Sequence, residues 1–440
     1  MLSTPPPHSR SQADPPPRLG PRPLPLHLLS CWSFYSSSLP ASLLWSSGWP
    51  ILKGLMPPPP PISGGFPPAP ERPSNPTGGA AESNSFDPIR FTQAVEAAGR
   101  RRLGAFLTGV QRYRDHPYRR NLPDPQERAR WGNIRLLDYS EPGATGPMLL
   151  CLPSLINRAY ILDLTEERSF LRWLAGKGLR PLLMDWGTPG PDERDFTLTD
   201  YIEGPIFEAL ALASAQAGGR VGLLGYCMGG LLALAAAERH PALVERLLLL
   251  ATPWDFHSDP GQARRLTAAL PALMQTIDWH QGLPVDVIQT LFAGIDPLQI
   301  ARKFEAFARL APDGSPARAF VALEDWLNDG VPLVAPVARE TLGGWYRDNH
   351  PPLGRWRVAG RPIRPAHVTV PTLSLVPKAD RIVPPASALA LAHAIPGGLT
   401  HEIGLGHIGM MVGARAPALV WEPIRAFVMG EDVYPLGGTP

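Results

Sequence analysis

The sequence predicts an α/β protein: a mostly parallel sheet with helices on both faces, interrupted by an inserted helical cap. Three observations carry this. Strand-like apolar runs alternate with helical patterns from Trp131 to Leu250; the alternation stops at Trp254 and resumes only after about Pro365; and the strand-like run Arg220–Leu224 leads straight into a glycine-flanked turn that opens a helix.

Residues 1–85 are rich in Pro, Ser and Gly, and much of the excess among the 55 prolines of this 440-residue chain lies there. Such composition buries too little apolar surface to offset the entropy of ordering, so 1–85 is expected to be a disordered arm. Within it, Leu24 to Met56 is the most apolar stretch, but Pro25, Pro40 and Pro50 interrupt it. It is too broken for a transmembrane span or a signal peptide. A loosely packed extension is expected, or a surface-resting segment anchored by Trp32, Trp45 and Trp49.

Residues 86–130 read as an N-terminal helical segment, because Phe91, Ala94, Val95, Ala98, Leu103, Phe106, Leu107 and Val110 recur at helical spacing. The first part of the core, 131–253, has strand patterns at Asn133–Tyr139, Met148–Leu152, Pro181–Asp185, Arg220–Leu224 and Val244–Leu250. Helical patterns fall at Glu166–Gly176, Thr199–Ala215 and Met228–Arg239. Residues 254–365 show short helical patterns, five tryptophans and no strand run, which places an inserted cap over the carboxyl edge of the sheet. The second part of the core, 366–440, supplies a strand at Thr372–Val376, a helix at Pro385–Ala394 and a closing helix near Pro417–Met429.

A net charge of +2 gives no global reason to expect a nucleic-acid partner, and local pairs such as Arg119-Arg120 read as solvated surface. Cys31, Cys151 and Cys227 are too few and too scattered for a disulfide framework or a zinc site. No metal or resident cofactor is expected, and the compartment implied is reducing and cytoplasmic.

The chemistry is concentrated in Gly225-Tyr226-Cys227-Met228-Gly229-Gly230, which reads as a nucleophile elbow between strand and helix. The turn lifts Cys227 above the sheet at a helix N-terminus, where partial positive charge favours thiolate, and aims the Met228 N–H at a developing oxyanion. Asp380 follows an apolar strand, and His407 lies in a glycine-rich loop after another. Taken singly, Asp380 also fits a helix cap and His407 an ordinary loop histidine. Together they complete the order nucleophile, acid, histidine of the α/β-hydrolase fold. The loop after Met148–Leu152 should supply the second oxyanion donor, from Leu155 or Ile156, which sequence does not separate. A cysteine attacking a thioester makes another thioester, so the acyl group stays activated; this favours acyl transfer over hydrolysis.

These residues resemble the polyhydroxyalkanoate synthase family over roughly residues 100–430. The likeness rests on Pro153 to Leu164, Asp185-Trp186-Gly187, Thr199-Asp200-Tyr201-Ile202, the elbow box and Gly406-His407-Ile408-Gly409, and is nearer the short-chain class. The resemblance implies polymerisation of (R)-3-hydroxyacyl-CoA into polyester through a chain held on Cys227, with His407 activating the thiol and Asp380 assisting the attacking 3-hydroxyl. It further implies a cytoplasmic enzyme at a granule surface, a homodimer, a second synthase subunit for the short-chain class, and CoA thioester as substrate rather than cofactor. Arg381 stands where long-class synthases commonly carry histidine, and the proline-rich arm has no obvious counterpart. The alternative on the same triad is a thioesterase or esterase-type hydrolase; a third reading is an inactive, surface-associated relative.

Overall fold

The structure, a computed structural model of the whole chain, describes residues 17–46 and 87–432. Expectations for 1–16, 47–86 and 433–440 lie outside the described residues. The described residues form two compact units.

The smaller unit comprises 24–46, 87–112 and 298–309. Its helices are α1 (Leu24–Ser46), most of α2 (Pro88–Asp115), and Gln299–Phe307. Phe106 meets Phe304 edge-on with ring centroids 6.1 Å apart, and Gly109 sits where a Cβ would lie 2.1 Å from the Phe304 carbonyl oxygen. Two expectations change here. The arm is not without structure throughout: α1 is helical, Cys31 is buried, and the Tyr35 hydroxyl donates to the Glu305 carboxylate. Pro25 falls in the first turn, where its missing N–H has no helical partner to lose, whereas Pro40 lies inside the helix, so the prolines do not end it as their usual effect predicts. The cap of 254–365 is also not one body, since 298–309 pack with α1 and α2.

The larger unit is built on a sheet that has eight strands among the described residues. They are β1 (Gln126–Trp131), β2 (Ile134–Asp138), β3 (Met148–Leu152), β4 (Arg180–Asp185), β5 (Val221–Tyr226), β6 (Val244–Leu250), β7 (Thr372–Pro377) and β8 (Leu399–Ile403). Their spatial order is β1-β2-β4-β3-β5-β6-β7-β8, antiparallel over β1-β2-β4 and parallel from β4 onward. Residues of β3, β5 and β7 are buried along their whole length, as expected of central parallel strands covered on both faces. The period-2 alternation then sorts the leucines. Leu223, Leu247 and Leu249 pack on one face with helix α3 (Met228–Arg239), whereas Leu224, Leu248, Leu250, Leu373 and Leu375 pack on the other. Each such leucine contributes about 1.5–3 kcal/mol by leaving water.

Register brings the functional ends together. Leu152 pairs with Gly225, Tyr226 with Leu250, Leu250 with Leu375, and Pro377 with Ile403. The chain therefore leaves β3, β5, β6, β7 and β8 along one carboxyl edge, where ligands bind in open α/β sheets.

Several boundaries differ from those expected. Sheet structure starts at Gln126 rather than after 130, because β1 is a mostly exposed, polar edge strand with no apolar pattern. The helix expected from Glu166 begins at Phe170: Asp163–Thr165 and Arg168–Ser169 form a small hairpin, and the Ser169 hydroxyl caps the helix by accepting from the Arg172 N–H. The helix expected over Thr199–Ala215 is broken by a π-helical turn at Ile202–Ile206 around Pro205, which lacks the N–H a continuous ladder needs. In the cap, helices α4 (Pro260–His280), Val285–Ala293 and Ser315–Asn328 lead to Ala335–Arg339 and a π-helical turn, Glu340–Arg347. The stretch expected to lack strands holds two short ladders, Gly282–Leu283 with Leu333–Val334 and Arg357–Val358 with Arg361–Pro362. Two residues per strand are too few to leave a periodic signal. Among the described residues, no helix is long and apolar enough to cross a membrane.

Candidate active site

Cys227 lies between β5 and α3 with φ +56° and ψ −126°, a conformation that costs a non-glycine residue about 1–3 kcal/mol. The neighbours make that turn possible. A Cβ on Gly225 would fall 2.4 Å from both the Gly229 carbonyl oxygen and the Gly230 Cα; one on Gly229 would fall 2.1 Å from the Leu152 carbonyl oxygen. On Gly230 it would meet the Thr252 hydroxyl at 1.9 Å. Strand and helix thus touch backbone to backbone. The Cys227 N–H donates to the Leu250 carbonyl at 2.8 Å, which fixes the turn against β6. Met228 takes the first helical position, so its N–H has no partner within the helix.

Asp380 and His407 come from the loops after β7 and β8. Asp380 Oδ1 accepts from the Ile382 and Val383 N–H groups at 2.8 and 2.9 Å, while Oδ2 faces His407 Nδ1 at 2.6 Å. One carboxylate therefore does two jobs: it closes its own loop and it orients the imidazole. Cys227 lies close enough to His407 to act on its imidazole, so the three side chains are neighbours. Burial alone would lower the His407 pKa. The Cys227 charge and the hydrogen bond to Asp380 overcome this and push it up to about 10. The arrangement favours the imidazolium form of His407. Burial pushes the Cys151 thiol well above its ordinary value, and burial together with the Glu305 charge takes Cys31 to about 11. Cys227 is the part-exposed one of the three.

The segment 153–157 lies against the elbow. The Trp186 indole N–H donates to the Pro153 carbonyl at 3.0 Å, and Val331 N–H to the Ile156 carbonyl at 3.1 Å. The side chain of Leu155 is in the core, whereas Ile156 lines the same cavity as Cys227 and Met228. The Ile156 N–H makes only a long contact, 3.4 Å, with the Ser154 hydroxyl.

That cavity, about 280 Å³, lies between the sheet edge and the cap. Phe256, Leu266, Ala269, Leu283, Ile288, Leu291, Phe292 and Leu342 make its wall mostly apolar, with Gln262 and Arg265 on α4. Arg381 reaches the cap instead of the site, bonding Asp296 at 2.7 Å. Among the described residues, no group of three His, Cys, Asp or Glu side chains could hold a metal ion.

Sequence reasoning passed over Tyr226 and Tyr346. Tyr226 donates to the His407 carbonyl and stacks on its ring; on a wholly buried strand it reads as core. Tyr346 lines the cavity from the cap, where helical periodicity fails in the π-helical turn.

Comparison with known proteins gives the family. Residues 215–414 match the family described as alpha/beta hydrolase fold. A poly(3-hydroxyalkanoate) polymerase subunit from Synechocystis sp. is 30% identical over 280 residues, 61% of this chain and 73% of the relative. One from Allochromatium vinosum is 28% identical over 279 residues, 62% and 78% of the two chains. Among solved structures, an esterase from Exiguobacterium antarcticum superimposes with a TM-score of 0.42 at 18% identity, covering 67% of this chain and 95% of its own. With a cysteine elbow, an aspartate–histidine pair on adjoining strand ends and a relative of this identity and coverage, the chain belongs to the poly(3-hydroxyalkanoate) polymerase family of the α/β-hydrolase superfamily.

Proposed function

We propose that this protein is an acyltransferase that polymerises (R)-3-hydroxyacyl groups from CoA thioesters into a polyester held on Cys227. The observation that carries this reading is the Cys227–His407–Asp380 cluster at the floor of a capped, mostly apolar cavity.

The Cys227 thiolate attacks the thioester carbonyl carbon; the carbon–sulfur bond to CoA breaks, and the CoA thiolate leaves with the proton that His407 held. His407 then takes the proton from the 3-hydroxyl of a second hydroxyacyl group. That oxygen attacks the Cys227-bound carbonyl, an ester bond forms, and the cysteine sulfur leaves. A general base of this kind is worth roughly 10²–10⁴ in rate. Met228 N–H and an N–H from Leu155 or Ile156 stabilise the oxyanion, with Ile156 favoured because it lines the cavity. Such a donor contributes about 10²–10³ in kcat. Both Asp380 oxygens are engaged, which supports an orienting role over direct service to the 3-hydroxyl. The apolar wall keeps water from the acyl-thioester, favouring transfer over hydrolysis.

In this reading no cofactor takes part beyond the CoA thioester substrate. The enzyme works as a homodimer with a second synthase subunit, in the cytoplasm at the surface of the growing granule.

The test is Cys227→Ala with 3-hydroxybutyryl-CoA. CoA release should fall by several orders of magnitude, as for other members of a catalytic unit. Rapid iodoacetamide labelling should vanish as well, since Cys31 and Cys151 are buried. Turnover near that of the unaltered protein would overturn the assignment.

A further inference from the structure

The cap is fastened unevenly around the Cys227 cavity. Leu273 and Ile277 on α4, and Val337 and Ala338 on the helix Ala335–Arg339, are buried in the main core. The Glu340 carboxylate adds a bond to the sheet side by accepting from the Leu198 N–H at 3.2 Å. The stretch Leu291–Asp296 is held differently. Leu291, Phe292 and Ile295 line the cavity but are only half-buried, and Gly294 beside them is exposed. Ile382 and Val383, from the loop that carries Asp380, line the same cavity. Arg381, next to them, bonds Asp296 at 2.7 Å, so one ion pair joins the cap to the acid-bearing loop where both border the cavity. The Arg381 side chain is 70% exposed and that of Asp296 15%, so the pair faces solvent. Exposed pairs hold weakly and are screened by salt. A segment with few fully buried apolar side chains opens before a packed core does.

We propose that the Arg381–Asp296 ion pair is a latch on the passage to Cys227. Closed, it keeps Leu291–Ile295 beside Ile382 and Val383, and small molecules alone reach the thiol. Released, it lets that edge of the cap move out, so that a bulky thioester enters or a growing chain leaves. The movement falls on the cap, because the loop on the other side is braced: Asp380 Oδ1 accepts from the Ile382 and Val383 N–H groups, and Oδ2 faces His407. The latch therefore opens without dismantling the acid–histidine pair. Salt screens the two charges and shifts the balance toward the open form. The inference rests on the acyl-transfer reading for what passes through the opening, but not for the opening itself.

The experiment compares how fast Cys227 of the full chain reacts with a bulky uncharged reagent, a maleimide bearing a polyethylene glycol chain, and with a small one, iodoacetamide. Both are measured at low salt and at roughly 0.5 M salt, where exposed charges are screened. Cys31 and Cys151 are buried, so the labelling reads Cys227, and the small reagent divides out any change in the thiol itself. In the unaltered protein the bulky-to-small ratio should rise about threefold with salt, the scale on which an exposed ion pair shifts an equilibrium. Arg381→Gln and Asp296→Asn should each show the higher ratio already at low salt and lose the salt response. A ratio that salt does not move in the unaltered protein, or a salt response that persists in both variants, overturns the latch. Labelling needs no thioester, so the two readings fail separately. A salt response of the expected kind in a protein that 3-hydroxybutyryl-CoA never acylates keeps the latch and removes the acyl-transfer reading.

Discussion

The Tyr226 hydroxyl donates to the main-chain carbonyl of His407 at 3.0 Å, and the two rings stack with centroids 5.2 Å apart. The residue before Cys227 thus holds His407, the base in the proposed reaction, linking β5 to the loop after β8. Tyr226→Phe keeps the stack and deletes the donor, leaving a buried carbonyl without a partner. Unfolding in urea should show a loss of about 1–3 kcal/mol, and turnover should fall because the imidazole is less well fixed. Unchanged stability and unchanged rate would show that the bond is incidental.

His407 should be an imidazolium at neutral pH. Its pKa is raised, so the charged form persists above the ordinary value near 6.5 and gives way only as pH climbs toward about 10. The stability this coupling contributes is complete below about 6.5 and is lost as pH rises through the folded value. Ring-proton NMR should place the titration above 7 in the unaltered protein. Cys227→Ala removes the leading raising influence, and Asp380→Asn weakens the next, so each should bring the midpoint down. A neutral ring at pH 7 in the unaltered protein would contradict the ion-pair picture.

The segment before α1 should matter for stability. Arg18 is 7% exposed in its side chain and donates to Asp325 through Nε and Nη2, both at 2.6 Å, and to the His116 carbonyl at 2.6 Å. Asp325 also accepts from the Tyr113 hydroxyl at 2.9 Å. Arg18→Ala removes one partner from this part-buried cluster, and thermal unfolding should show a loss of about 1–3 kcal/mol, a few degrees in Tm. A shortened chain starting near Glu82 should lose at least as much, whereas composition alone predicts no change. A Tm equal to that of the whole chain would show that these contacts do not form in solution.

What the sequence made legible follows from how local each signal is. Cys227 could be placed because glycines at 225, 229 and 230 have a steric cause in the immediate backbone, and β3, β5 and β7 because buried parallel strands are apolar at every position. Chain order points to Asp380 and His407, but the contact between them depends on the register of β7 and β8, which sequence does not contain. Strand β1 was missed because it lies at a polar edge, and α1 because prolines outweighed its apolar residues. Tyr346 escaped for a further reason: its place in the cavity is set by a π-helical turn, where the 3.6-residue period used to read helices does not hold.

The central claim is that Cys227 passes its acyl group to a hydroxyl rather than to water. The measurement is a single incubation of purified protein with 3-hydroxybutyryl-CoA, quantifying released CoA, free 3-hydroxybutyrate and ester-linked product together. A site that must be primed under its cap should release CoA after a lag, with most of the acyl groups recovered as oligomer or insoluble polyester. Free 3-hydroxybutyrate in amounts matching the released CoA, with no ester product, would contradict the account and assign the same three residues to a thioesterase.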